Sequence, residues 1–569
     1  MKKVLLLGLI LIAAFLVRAI GINFGLPFVY HDDEPIIVNY ALAYGSGDFN
    51  PHVFKVSPFL SYLLFFVYGL FFVIGYIFRY FHNVRDFAYL FLNNPAIFYL
   101  IGRALYGLAF GTASVFLLYI LGKRYFDKKT AFLATLFFAL NYLHVRDSHY
   151  IYFDVPLTFF ILLFFIKAYD FLKPPAERID YVLLGILLAV ASSVKYSGAL
   201  LGLPFLIVLI YSLYVSGDKK ISSKVLDIFY CAAAFAAVMF LLNPFSFINF
   251  KEFTRSLSKM PVMQLSPHFH LKVSLFEGCG IAAVALGIGG MLWAILRRRK
   301  RQALLVLYVA FYYFILNRGS QEAERLVMPL IPFILLFASS VIIEARTLLI
   351  KRKILSNALT LTAIAILVYP SLIRIYYSDR LFLREDTRTT AHRWIKQNIA
   401  KDSRIALDAT SSWFPKLQKS KEQSKDASKY FDIPQFDKPK GADSMKLQFI
   451  LSNPHYPTHT YYLFYLKEKA GTAFVSVHPD LPTDYLQLKS NKIQYVVLSH
   501  ILIDGRYDEF LEDIEKNCKL IKAFSPYKSG ITRVRPKEAS LPPAAAFMLD
   551  ELKDRKSYGP VIEIFKTKY

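Results

Sequence analysis

The stretch VLLLGLILIAAFLVRAIGINFGLPFVYHDDEP (residues 4–35) joins a long apolar run directly to a cluster of acidic residues. Its apolar part, residues 4–22, would rise roughly 29 Å as a helix, which matches the hydrocarbon core of a bilayer. The cluster His31-Asp32-Asp33-Glu34 follows at the edge of that segment. Charged groups beside hydrocarbon are costly and usually serve a function. The stretch therefore predicts a first membrane span that leads at once into a functional acidic loop.

The composition of the whole chain predicts further membrane spans after the first one. Of its 569 residues, 55% are hydrophobic and only 19% are charged, and long apolar runs recur as far as residue 373. Runs of this length predict membrane-spanning helices. The formal net charge is +25, but the basic residues form short clusters between apolar runs instead of one arm or face. This pattern is typical of cytoplasmic loops and argues against nucleic acid as a partner.

Loop charges predict the orientation of the spans. The loops at 122–129, 216–224, 297–301 and 346–353 are strongly basic and are predicted to be cytoplasmic, whereas the loops that alternate with them are predicted to be outside. This parity requires that the apolar run 58–80 lies at the outer surface without crossing. The result is an α-helical polytopic membrane protein of about 11–13 spans with a long first outer loop, 23–95.

The polar, mixed-charge sequence after the last run predicts a second domain. We place the transmembrane domain at 1–375 and an extracytoplasmic α/β domain at 376–569. In the second domain we expect a helix over 386–400 with Asp386 as its N-cap. Strands are expected at 403–409, 491–499 and 561–567, and a helix followed by a strand over 510–526. Residues 415–445 are expected to form a loop or a poorly ordered insertion.

Polar residues from separate segments are predicted to gather at the outer membrane face. Each of these residues alone has an ordinary explanation. Together they indicate a site, because all of them are predicted at the same depth relative to the membrane. The candidates are Asp32, Asp33, Glu34, Arg103, Arg146, His149, Asp154, Lys195 and Arg325.

The acidic candidates have two interpretations each. A carboxylate among residues 32–34 suits a general base or a metal ligand, while Asp32 or Asp33 could instead cap the helix expected at 35–45. Asp154 precedes Val155-Pro156 and is either a second acid facing Asp33 or the N-cap of the next span. The choice between capping and chemistry is open at this point.

The basic candidates Lys195 and Arg325 are predicted at headgroup level. They would either extend to lipid phosphates in general or bind one lipid-linked phosphate, where a fixed cation offsets the charge of a leaving group.

At these residues the chain resembles the GT-C polyprenyl-phosphate-sugar glycosyltransferases, which include protein O-mannosyltransferases and aminoarabinose transferases. The resemblance rests on Asp33-Glu34 in HDDEP, on Asp154 in SHYIYFDVPL, on Lys195 in VKYSG and on Arg325 in ERLVMPLIP. It covers roughly residues 1–375.

The resemblance implies a multi-pass protein of the cytoplasmic membrane that transfers a sugar, with inversion, from a polyprenyl-phosphate donor. The acceptor would be a hydroxyl on a protein, a lipid or a glycan at the outer face. Asp33 would be the base, with Glu34 and Asp154 orienting the reactants. The donor phosphate would be held by Lys195 and Arg325.

Further substrate contacts are expected from Asp32, Arg103, Arg146 and His149. The extra Asp32 leaves the register of the acidic pair ambiguous, so Asp32 is an alternative base. The residues indicate no particular cofactor, and a divalent metal at Asp32, Asp33 and Glu34 stays an open alternative. The competing interpretation is a transporter or flippase, but that class places charges at mid-membrane and repeats its halves, and neither pattern is visible here.

Overall fold

The computed structural model describes residues 2–31, 33–173, 176–215, 220–258, 268–319, 322–349, 351–407, 414–425, 442–465, 485–500, 506–530 and 548–568. Helices dominate these residues, and the strands are confined to the last third of the chain.

The α-helices of the described residues are, in chain order, α1 (Lys2–Ala19), α2 (Glu34–Ala43), α3 (Phe59–Ile77), α4 (Val84–Asn93), α5 (Ala96–Arg103), α6 (Phe110–Tyr125), α7 (Lys128–Ala139), α8 (Tyr142–Asp147), α9 (Asp154–Phe171), α10 (Arg178–Val194), α11 (Gly202–Val215), α12 (Ile221–Leu242), α13 (Pro244–Ile248), α14 (Phe250–Ser258), α15 (Phe276–Cys279), α16 (Ile281–Leu296), α17 (Lys300–Arg318), α18 (Ile331–Leu348), α19 (Lys353–Phe382), α20 (Thr387–Asn398), α21 (Lys421–Lys425), α22 (Ala442–Ser452), α23 (Tyr485–Ser490), α24 (Arg506–Asn517) and α25 (Leu549–Asp554). Short 3₁₀-helical segments cover Tyr44–Ser46, Tyr196–Leu201 and Glu324–Leu330, and π-helical segments cover Ala104–Ala109 and His270–Leu275. The strands are β1 (Arg404–Leu407), β2 (Tyr462–Tyr465), β3 (Tyr495–His500), β4 (Cys518–Phe524) and β5 (Val561–Thr567).

The chain forms two compact units. Unit 1 comprises Met1–Ile22, Val53–Leu63 and Gly102–Tyr376. Unit 2 comprises Asn23–His52, Leu64–Ile101 and Tyr377–Tyr569, so it combines most of the predicted first outer loop with the C-terminal third of the chain.

Each predicted apolar run is helical over most of its length. Among the described residues, six helices are long and apolar enough to cross a membrane, and a seventh results if the pair His270–Cys279 and Ile281–Leu296 counts as one span. That pair bends by 106° at Gly280, whose φ of +89° glycine adopts without the penalty of a Cβ. The predicted 11–13 spans also include helices that are shorter, such as α7 and α10, or that carry three charges, such as α9. The surface position predicted for 58–80, now α3, stays a prediction.

The core of unit 1 surrounds α18. Its side chains from Ile331 to Ser340 are all buried. The sequence there has no charged face, and a helix that is apolar all round packs in the interior. Helix α16 packs closely against it because Gly290 has no side chain, and a Cβ there would lie 2.5 Å from the Phe337 carbonyl oxygen. The preceding 3₁₀ segment, Glu324–Leu330, is buried from Val327 to Leu330, and helix α9 is buried from its first residue, Asp154.

Unit 2 contains a five-stranded sheet with the order β2-β1-β3-β5-β4. Strand β1 pairs in parallel with β2 and β3, and β5 is antiparallel to β3 and β4. One face of the sheet buries Ile405, Val497 and Ile564 against Ala391 and Ile395 of α20. Because a helix packs on this five-stranded sheet, the C-terminal domain is an α/β fold, as predicted.

Most elements predicted in this domain are confirmed. Helix α20 begins after Asp386, whose carboxylate accepts the Arg388 backbone N–H, and the predicted strands correspond to β1, β3, β4 and β5. Strand β2 is not predicted from the sequence, since its four residues are apolar or aromatic without alternation and only pairing with β1 defines them. The predicted loop 415–445 is wrong at its described ends, where α21 and the start of α22 are helical; residues 426–441 lie outside the described residues.

Candidate functional site

A buried ion pair in unit 1 joins two of the predicted site residues. Asp154 is the first residue of α9 and is 1% exposed, and its Oδ1 accepts a hydrogen bond from Lys195 Nζ at 2.7 Å. Lys195 follows α10, the helix that ends at Val194. The alternative that Asp154 serves as an N-cap is wrong, because Phe153 holds that position. The carboxylate is therefore available to bind cations.

Arg325 reaches the same carboxylate from the 3₁₀ segment. Its Nε lies 3.6 Å from Asp154 Oδ2, and its Nη2 donates to the Tyr152 hydroxyl at 3.2 Å. The guanidinium also stacks over the Tyr152 ring, 4.4 Å from its centroid. One carboxylate thus lies between two cations, and the cluster carries a net positive charge. Both side chains turn towards Asp154, which does not support the alternative that they simply extend to lipid headgroups.

This cluster borders a cavity of about 610 Å³ within unit 1. Among the described residues that line it, the charged ones are Lys55, Lys195 and Arg325, and Tyr152 and Tyr312 supply aromatic walls. The volume lies in the usual range of small-molecule pockets. Fixed cations at a partly enclosed wall favour phosphate or carboxylate groups, since charge-assisted hydrogen bonds strengthen away from bulk water. The arrangement can hold an anionic ligand with an apolar portion.

Arg146 supports the 3₁₀ segment from α8. Its side chain is buried, its Nε donates to Asp147 Oδ1 at 2.6 Å, and its Nη2 lies 3.9 Å from Glu324 Oε2. Glu324 immediately precedes Arg325, so this pair helps to hold the backbone that carries Arg325. The structure does not place Arg146 among the lining residues described for the cavity.

His149 and Arg103 contact the end of the first helical segment. His149 Nε2 lies 2.8 Å from the Ile20 carbonyl oxygen and Nδ1 lies 3.0 Å from that of Val145, while Arg103 Nη1 donates to the Ile22 carbonyl at 2.8 Å. Burial lowers the pKa of His149 to about 4, against the opposing effect of these carbonyl groups. Neither residue is among those described as lining the cavity.

The acidic cluster belongs to unit 2. Asp33 occupies the N-cap position of α2, but its carboxylate makes no capping hydrogen bond, and its backbone N–H donates to His31 Nδ1 at 3.2 Å. Glu34 begins the helix and is fully buried, and Asp32 lies outside the described residues. Among the residues that the structure describes, no three His, Cys, Asp or Glu side chains are grouped to hold a metal ion. The predicted pairing of Asp33 with Asp154 stays a prediction.

The segment before the acidic cluster is held by residues that the sequence analysis missed as site residues. Arg388 of α20 is buried and donates from Nε and Nη2 to Asp386 at 2.8 and 2.7 Å. Its guanidinium lies 3.8 Å from the centroid of the Tyr30 ring, and the Tyr30 hydroxyl hydrogen-bonds Thr389 Oγ1 at 2.9 Å. The C-terminal domain therefore anchors residue 30, one position before His31. No local pattern could indicate a contact across more than 350 residues.

Comparison with known proteins identifies the fold. Residues 101–244, which include Arg103, Arg146, His149, Asp154 and Lys195, match the family of dolichyl-phosphate-mannose-protein mannosyltransferases. The structure of ArnT from Cupriavidus metallidurans in the apo state is similar with a TM-score of 0.52 at 14% identity, over 92% of this chain and 96% of that chain. The apo oligosaccharyltransferase of Archaeoglobus fulgidus is similar with a TM-score of 0.51 at 11% identity, over 93% of this chain and 74% of that chain. No curated protein sequence matches significantly.

These similarities confirm the predicted fold class. The chain is a polytopic α-helical membrane protein with the GT-C fold and a C-terminal α/β domain. The family match also supports the resemblance to GT-C glycosyltransferases within residues 101–244, which include the stretches around Asp154 and Lys195, whereas Asp33-Glu34 and Arg325 lie outside the matched residues.

Proposed function

We propose that this protein is a membrane glycosyltransferase that moves a sugar from a polyprenyl-phosphate donor to a hydroxyl acceptor. The observation that carries the proposal is the cluster of Lys195, Asp154 and Arg325 beside the 610 Å³ cavity of unit 1. A cavity with two fixed cations and apolar walls suits a phosphate attached to a hydrocarbon chain. The matching family, whose description names a dolichyl-phosphate-mannose donor and a protein acceptor, points to the same class of donor.

In the proposed reaction, Asp33 removes the proton from the acceptor hydroxyl. The resulting oxygen attacks the anomeric carbon from the side opposite the phosphate and forms the new glycosidic bond. The bond from the anomeric carbon to the phosphate oxygen breaks, its electron pair leaves with the polyprenyl phosphate, and the configuration inverts. Lys195 and Arg325 offset the charge that develops on the phosphate, so the leaving group needs no proton.

The remaining candidates have supporting roles in this proposal. Asp154 fixes the positions of Lys195 and Arg325, and Glu34 orients the acceptor. Asp32 is the alternative base, and a divalent metal at the acidic cluster stays an alternative to a simple base. The site is proposed to face the outside of the cytoplasmic membrane, with a hydroxyl of a protein, a lipid or a glycan as acceptor.

The base is tested by Asp33→Asn and Asp32→Asn in full-length protein in membranes, supplied with polyprenyl-phosphate-linked sugar. Loss of general-base catalysis lowers rates about 10²- to 10⁴-fold, so we expect at least a hundredfold loss of transfer for Asp33→Asn. Asp86→Asn, in the exposed first turn of α4, is the matched control and should keep full activity. Loss in Asp32→Asn alone would move the base to Asp32, and full activity in both variants would contradict the mechanism.

A further inference from the structure

A second cavity, of about 390 Å³, lies entirely within unit 2. Its walls come from the end of α2, from α3 and α4, and from α22 of the C-terminal domain. Three of these elements precede residue 94 and the fourth begins at Ala442, so folding of unit 2 creates the cavity from distant parts of the chain. It shares none of its lining residues with the cavity beside Asp154.

The walls are mostly apolar, and the polar side chains among the described lining residues are Asn39, Ser46, Tyr68 and Lys446. Phenylalanine rings from three helices face the cavity, namely Phe65 and Phe72 of α3, Phe87 and Phe91 of α4, and Phe449 of α22. A polar ligand group buried here would lose its hydrogen bonds to water without replacement, at a cost of roughly 1–3 kcal/mol. The chemistry of the walls therefore selects a hydrocarbon chain over a sugar or a nucleotide.

Gly69 of α3 provides the room for such a chain. A Cβ at this position would meet no atom within 4 Å, so the missing side chain leaves open space at the wall. The cavity volume lies near the lower end of the range for ligand pockets, which suits one linear chain better than a long branched polyprenyl chain.

The opposite side of α3 indicates where the hydrocarbon comes from. Phe66, Leu70 and Ile77 are 69%, 59% and 68% exposed, and they recur at helical spacing along that side. An apolar surface of this length is typical of a helix in contact with lipid. One helix therefore separates the cavity from an apolar surface that suits contact with lipid, and membrane lipids would be the hydrocarbon available at such a surface.

Lys446 of α22 adds a charge to the wall. Lysine commonly lays its aliphatic stem along apolar surface and keeps its ammonium group at the polar edge. The positive charge of a lining lysine favours a ligand with an anionic headgroup over a neutral one. We propose that unit 2 binds one acyl chain of an anionic glycerophospholipid in this cavity, with the headgroup beside Lys446.

The test uses full-length protein in nanodiscs that contain phosphatidylglycerol with a photoreactive group in one acyl chain. After illumination, we expect labelled peptides from α3, α4 and α22. Gly69→Phe fills the open space and should lower this labelling at least tenfold. The matched control is Gly289→Phe on the exposed side of α16, where a Cβ also meets no atom, and it should label like the wild type. Labelling that is equal in the wild type and in Gly69→Phe would overturn the proposal.

Two further measurements separate the possible ligands. Lys446→Glu reverses one charge at the wall and keeps the five phenylalanine rings, and it should abolish the preference for phosphatidylglycerol over photoreactive phosphatidylcholine. An unchanged preference would overturn the headgroup assignment. A photoreactive polyprenyl phosphate should not label these peptides, and labelling by it in place of phosphatidylglycerol would overturn the acyl-chain assignment. Because these readouts measure binding, their results do not depend on whether the protein transfers sugars.

Discussion

Replacing Lys195 by Met tests the buried ion pair beside the unit 1 cavity. The Asp154 side chain is 2% exposed and that of Lys195 is 22% exposed. Breaking a fully buried pair costs about 3–5 kcal/mol, because the remaining charge is left without its partner. Lys195 is partly solvated and Arg325 Nε remains 3.6 Å from the carboxylate, so we expect a loss of about 2–3 kcal/mol. The measurement is the free energy of unfolding of the full-length protein in nanodiscs.

The double variant Lys195→Met/Asp154→Asn separates stability from function. It removes both charges of the 2.7 Å pair, so its stability should recover to within about 1 kcal/mol of the wild type. The remaining loss comes from Arg325, which is 29% exposed and no longer faces a carboxylate 3.6 Å away. The cation for the donor phosphate is still missing, however. Losing one charge-assisted hydrogen bond of about 1.5–3 kcal/mol should lower donor kcat/KM about 10- to 150-fold. The assay is transfer from polyprenyl-phosphate-linked sugar at varied donor concentration.

Lys167→Met is the matched control for this experiment. Lys167 of α9 forms ion pairs with Asp170 and Asp180 and is not among the described lining residues of the cavity. It should alter stability without a selective effect on the donor. Two results would refute the reasoning. Wild-type stability of Lys195→Met would exclude a buried pair, and wild-type donor kinetics of the double variant would exclude Lys195 from phosphate binding.

Two other predictions concern residues that support the site. Arg388→Met leaves Asp386 buried without its bidentate partner and should lower the free energy of unfolding by about 3–5 kcal/mol. Arg388→Lys should restore only part of this stability, because lysine lacks the planar guanidinium. Unchanged stability of Arg388→Met would contradict the contacts described. Burial lowers the pKa of His149 to about 4, below its unfolded value of about 6.5. The unfolded chain therefore binds more protons between these values, and stability should fall by up to about 1.4 kcal/mol per pH unit as the pH drops from about 6.5 to 4. His149→Gln should flatten this pH dependence of the melting temperature, and an identical slope in both proteins would argue against His149 as its source.

Local pattern was sufficient to predict the elements. The apolar run 4–22 became α1, and the run 154–171 became α9, because an apolar helix is encoded by the composition of its own residues. In the C-terminal domain, Asp386 caps α20 as predicted, since a cap depends only on the next few residues. Strand β2 and the helices α21 and α22 are exceptions, and the register of β2 comes from a partner strand almost 60 residues away.

The sequence by itself determined a chain of apolar helices followed by an α/β domain, and it indicated Asp154, Lys195 and Arg325 as polar residues at comparable depth. Only the tertiary structure decided that one carboxylate is shared by the two cations, which are 41 and 171 positions away. The same is true of Arg388 against Tyr30, and of the apolar cavity between α3, α4 and α22. Periodicity and capping depend on neighbours along the chain, whereas an ion pair or a cavity depends on which helices pack together, and that is decided by the summed burial of many side chains.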